Sequence, residues 1–138
     1  MRAVQYEPWD PAVKALVAFP ELLASMDESP QWLHDLGEAF LLQEPHVMDT
    51  VQNLRRRAQA AGYLASTDQH AVYQQGEAIV VYPRTHIVYV RYYDPYIVYG
   101  PWWWPHYRPV FWRPWAPRPV FVSRGFFYSA PDWQRRHV

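Results

Sequence analysis

An α+β fold, with three or four short helices packed on a small antiparallel sheet and an extended tail behind it, is predicted from three features of the chain. In the first half, apolar residues recur at helical spacing behind pairs of a capping residue and a proline. In the middle, β-branched and aromatic runs flank Gln75 and Gly76, the pattern of a hairpin. From Pro101 to Pro119, six prolines each fix φ and remove a backbone donor, so neither a helix nor a central strand can pass. The expected division is a body at residues 9–99 and a partly disordered tail at residues 100–138.

The elements follow in order. Asp10 and Pro11 form an N-cap and first-turn pair, with Val13, Leu16 and Val17 on one face of a short helix. Pro20 pushes Phe19 out of the α region, which breaks the helix and starts another through Leu22, Leu23 and Met26. Ser29 and Pro30 repeat the device, and Leu33, Leu36, Phe40 and Leu41 make the stripe of a helix reaching about Gln43. Pro45 opens the next, with Val47, Met48, Val51, Leu54 and Ala58 apolar and Gly62 as its stop. Helices this short are unstable alone and must pack. The run AVYQQGEAIVVYP reads as a hairpin, Ile87 to Arg91 as a third strand, and Asp94 with Pro95 as a turn leading to a fourth extended run, Tyr96 to Tyr99. Residues 126–138 read as a loosely ordered end.

The tail carries the most unusual chemistry. Between Tyr99 and Phe121 the chain reads YGPWWWPHYRPVFWRPWAPRPVF, aromatic, proline and arginine residues with no acid among them. A polyproline-like backbone is expected to display its side chains. The candidate interaction surface is Tyr99, Trp102, Trp103, Trp104, Tyr107, Arg108, Trp112, Arg113, Trp115 and Arg118. Indole and guanidinium suit a membrane interface, an envelope polymer or a protein partner. Charge is divided between the halves: ten Asp/Glu against five Lys/Arg in residues 1–70, then three against eight, all arginine, in residues 71–138. The tail arginines therefore have two possible targets: an anionic or aromatic partner, or the acidic helices of their own chain.

Reactive chemistry has little support. The chain has no cysteine, which excludes disulfides and thiolates. His34 with Glu38, and His46 with Asp49, have helical spacing for two metal ligands each, but two do not make a site. The remaining histidines are scattered, and no nucleophile elbow, phosphate loop or dinucleotide fingerprint occurs among only five glycines. No cofactor is implied. The tyrosines from Tyr82 to Tyr99 are first of all packing for the sheet, and Arg55 to Arg57 a solvated helix end. No apolar run approaches the ~20 residues that span a bilayer.

The segments DPAVKALVAFPELL, LGEAFLLQEPHVMDTVQNLRRRAQAAG, QGEAIVVYP and VYVRYYDPYIVYG, in this order, resemble the bacterial domain of unknown function family 3300 over about residues 8–105. The resemblance implies an envelope or periplasmic protein with a tail rich in Pro, Trp and Tyr. It implies no catalytic residue. The chain departs from the family pattern in having no preceding helical portion, in a start MRAVQYEPWD that is not an export signal, and in Arg91 where proline is commoner. Three functions follow as expectations: a non-enzymatic envelope scaffold or adaptor, a binder of single-stranded nucleic acid, or an enzyme of unrecognised type. The acidic first half weighs against nucleic acid.

Overall fold

The computed structural model describes residues 6–122 and 131–138. Helix α1 (Pro11–Leu16) is capped as the sequence predicts, the Asp10 carboxylate accepting the Ala12 N–H at 2.8 Å. Helix α2 (Pro20–Asp27) starts at the expected break after Phe19. Helix α3 (Pro30–Ala60) runs through both of the next predicted helices, with a kink at Gln43, where φ is −149° and ψ 46°. The kink arises because Pro45 has no N–H for the helical bond to Leu41 and its ring crowds that turn. Ser29 precedes Pro30 as anticipated, yet its side chain makes no capping bond.

Strands β1 (His70–Gln75) and β2 (Ala78–Pro83) form the predicted antiparallel hairpin, closed by the Gln75–Ala78 pair. Its two-residue turn needs positive φ, which Gly76 supplies at 62°. The expected single sheet of three or four strands is not found among the described residues. A second two-stranded sheet instead joins β3 (Ile87–Tyr89) to β4 (Pro119–Phe121) of the tail. Helix α4 (Pro95–Tyr99) occupies the run predicted as extended. Asp94 decides this locally, since its carboxylate accepts the N–H groups of Tyr96 and Ile97 and Pro95 sits in the first helical turn.

The core lies where the second limb of α3 crosses β2. Met48, Gln52 and Ala58 are buried there with Ala78, Ile79 and Val80, and Val98 of α4, Phe19 and Val122 are buried too. Ile79 is only 1% exposed. Its N–H donates to Gln52 Oε1 at 2.8 Å, and its carbonyl accepts from Gln52 Nε2 at 3.2 Å and Arg55 Nη1 at 2.7 Å. These side chains satisfy the backbone groups that β2 turns away from β1. A third strand has nothing left to pair with at that point, which explains why the first sheet stops at two.

The predicted stripe on the first limb of α3 differs from expectation, because Leu33, Leu36 and Leu41 remain exposed. That limb is covered instead at Trp32, on which Trp112 packs edge-on at 5.1 Å. Trp115 donates its indole N–H to the Val90 carbonyl at 3.0 Å and meets Tyr92 edge-on. Arg113 pairs with Glu28 at 3.5 Å and Arg118 with Glu21 at 3.0 Å. The last part of the tail thus lies along its own acidic helices.

Residues 131–138, expected to be a loose end, form a clip on the second limb of α3, while 126–130 lie outside the described residues. Asp132 bridges His137, Arg55 lies over the Trp133 ring at 4.5 Å, and Arg136 pairs with Asp49 at 3.0 Å. Glu44 receives both His137 Nδ1 at 2.9 Å and the Val138 amide at 2.8 Å. The hydrogen bond from His137, then that from Val138, holds the Glu44 carboxyl below the ordinary glutamate value. A carboxyl with a lowered folded-state pKa contributes stability above its unfolded value and loses it as pH falls through the folded one. The clip is therefore expected to hold Glu44 at neutral pH and release it only in acid, below the ordinary glutamate range. Following the Val138 amide by NMR against pH tests this, and Glu44→Gln is expected to flatten the acid transition. An unchanged transition in that variant refutes it.

Candidate aromatic binding face

The face begins at the end of α4. Gly100 closes that helix with φ 78° and ψ −164°, a conformation strained for any residue with a Cβ, and it redirects the chain into the tail. Two residues on, the Trp102 indole N–H points back at the chain, 2.6 Å from both the Trp104 and Tyr107 carbonyls. The Tyr107 N–H also reaches the Trp104 carbonyl at 3.3 Å, which makes 104–107 a turn with Pro105 in its favoured second position. A single indole thereby pins both ends of the turn.

Rings are placed in pairs around it. Trp102 and Trp103 have centroids 5.4 Å apart, Trp104 meets Tyr107 edge-on at 6.0 Å, and Tyr96 of α4 stacks on Phe111 at 5.1 Å. Arg57 of α3 lies over the Trp103 ring at 4.4 Å, tying the face to the body. Between these rings runs a cleft of about 190 Å³ whose walls include Leu54, Tyr99, Trp103, Pro109 and Phe111. Burial and then the neighbouring Tyr93 push the Tyr99 phenol up, so it stays a neutral hydroxyl at physiological pH. The face is apolar and ring-lined, with the chemistry of contact.

The structure divides the ten predicted surface residues into two sets. Tyr99, Trp102, Trp103, Trp104 and Tyr107 belong to the face, and Arg108 is exposed directly after its turn. Trp112, Arg113, Trp115 and Arg118 are turned onto the body by the contacts described above. Sequence reasoning left Tyr96, Ile97, Val110 and Phe111 off the surface, although all four are exposed beside it. A signal for the first two was present: Asp94-Pro95 repeats the Asp10-Pro11 device that opens α1, and a helix there turns Tyr96 and Ile97 outward.

The other candidates fall apart as sites. His34 contacts Glu38 at 3.4 Å on the solvent side of α3, and Asp49 is occupied by Arg136. Among the described residues no three His, Asp or Glu side chains gather as metal ligands. A second cleft, of about 170 Å³, lies between α2 and the returning tail, with Glu21 and Arg118 at its wall paired to each other. No helix among the described residues is long and apolar enough to cross a membrane.

Fold and face together define a small α+β domain that presents fixed aromatic rings on a proline-rich strap. The chain belongs to the family described as protein of unknown function DUF3300, whose model matches residues 1–138. It is similar to the uncharacterized protein YacH of Escherichia coli (strain K12), at 38% identity over 164 aligned positions that take in 94% of this chain and 27% of that one. The chain thus spans about a quarter of the length of this curated relative. No solved structure matches it.

Proposed function

We propose that this chain is a non-enzymatic protein of the bacterial envelope, a scaffold or adaptor that holds a partner on the aromatic face. The observation that carries the reading is the cluster of large apolar side chains between residues 96 and 111 that stay in water although their backbone is tied down. Clusters of this kind on a folded surface mark interaction sites. The envelope assignment rests on the family. The non-enzymatic assignment is supported by the clefts, whose few titratable groups are either paired with each other, as Glu21 and Arg118 are, or the phenols of Tyr96 and Tyr99. Single-stranded nucleic acid fits less well, because Arg113 and Arg118 of the strap are engaged with Glu28 and Glu21 and the first half of the chain is acidic.

The reading is tested by sedimenting the purified chain with isolated envelope fractions, membrane and wall together. A variant with Trp103→Ala, Trp104→Ala and Tyr107→Ala is expected to bind at least tenfold more weakly while keeping its circular dichroism, since buried aromatic anchors dominate interface energies. Equal binding by both proteins removes the face from the function.

A further inference from the structure

We infer that the partner of the aromatic face is the interface of an anionic bilayer, with the 104–107 turn seated among the headgroups and Arg108 on lipid phosphate. The inference rests on the binding role proposed above and names its partner.

The first ground is a preformed tip. Trp104 is 53% and Tyr107 66% exposed, yet the turn that bears them is closed by its own backbone bond and by the Trp102 indole. Side chains already fixed in position lose little freedom on docking, so the cost of ordering is small. The second is composition. Tyr96, Ile97, Val110 and Phe111 extend the apolar surface beside the tip, and the Tyr96–Phe111 stack locks α4 to the strap. Indole and phenol rings with an apolar body and a polar end, next to aliphatic side chains, match the boundary between acyl chains and headgroups.

The third ground is charge. No Asp or Glu occurs from Pro95 to Val122. The nearest acid in sequence, Asp94, has its carboxylate turned to the α4 amides. Arg57 sits on the Trp103 ring, and the exposed Arg108 and His106 have no bonding partner among the described residues. The strap is thus rich in apolar rings, carries the positive charge of Arg108 beside its tip and has no acid of its own from Pro95 to Val122 to repel lipid phosphate.

The test is co-sedimentation of the whole chain with phosphatidylcholine vesicles, with and without phosphatidylglycerol, across a range of salt. Binding is expected on the anionic vesicles, falling as salt rises. Arg108→Glu, at an exposed position, is expected to weaken it by roughly thirtyfold, because one cation near an anionic surface is worth about fivefold and the reversal counts twice. Trp104→Ala with Tyr107→Ala is expected to abolish it. Equal binding to neutral and anionic vesicles, or an unaffected Arg108→Glu variant, overturns the inference. So does capture by envelope fractions without capture by either vesicle, which leaves the broader binding role standing and moves the partner to the wall or a protein. Saturable binding of a proline-rich peptide in the absence of vesicle binding likewise overturns it.

Discussion

Changing Trp115 to alanine is expected to lower the stability of the domain by about 1.5–2.5 kcal/mol, roughly half of what a fully buried tryptophan would cost, because this ring is half-buried. The variant loses the bond from the indole to the Val90 carbonyl and the contact with Tyr92. It also undermines β4 four residues on, whose neighbour Val122 donates its amide to the His86 carbonyl at 2.8 Å. Hydrogen exchange at Val120, Phe121 and Val122 should therefore quicken together. Arg113→Gln and Arg118→Gln provide the contrast. Their ion pairs are well hydrated, with both guanidinium groups mostly in water, and such pairs are worth about 0–1 kcal/mol. Rings, and not charges, are expected to hold the strap down. If the arginine changes free β4 and Trp115→Ala does not, the order of these contributions is reversed.

Replacing Gln52 by leucine is expected to cost about 1–3 kcal/mol, although it puts an apolar side chain of similar size into the core. The loss falls on Ile79, whose buried N–H has Gln52 as its acceptor, whereas its carbonyl keeps Arg55. A buried amide left without a partner carries its full desolvation penalty. In a domain of this size each kcal/mol lowers Tm by roughly 4 °C, which a thermal melt resolves. Gln52→Glu should recover part of the loss, since a carboxylate can still accept the Ile79 N–H beside Arg55. A melt unchanged by Gln52→Leu would show that the free edge of β2 does not need this side chain.

Much of the fold could be read from local signals. Proline marked the start of α1 behind its Asp10 cap and the break at Pro20, and at Pro45 it marked a discontinuity, read as a new helix and found as a kink, because those effects act within one turn of backbone and need no distant partner. The hairpin was equally local, fixed by Gly76 between two runs rich in β-branched and aromatic residues. The same reasoning misread Tyr96 to Tyr99. Aromatic and β-branched residues suit a strand only when a strand is available to pair, and Asp94 had already turned the chain into a helix.

The amino-acid order alone determined where the chain must stop being helical, where the hairpin turns, and that no helix crosses residues 101–119, which carry rings and guanidinium groups. Only the tertiary structure decided which of those groups face solvent. Trp112 and Trp115 found Trp32 and Tyr92, and Trp102 closed a turn that leaves Trp104 and Tyr107 in water. The reason is one of distance. Proline and glycine act through sterics on neighbouring atoms, whereas Trp115 and Trp112 are covered by residues 25 and 80 positions away, as their contacts with Val90 and Trp32 show.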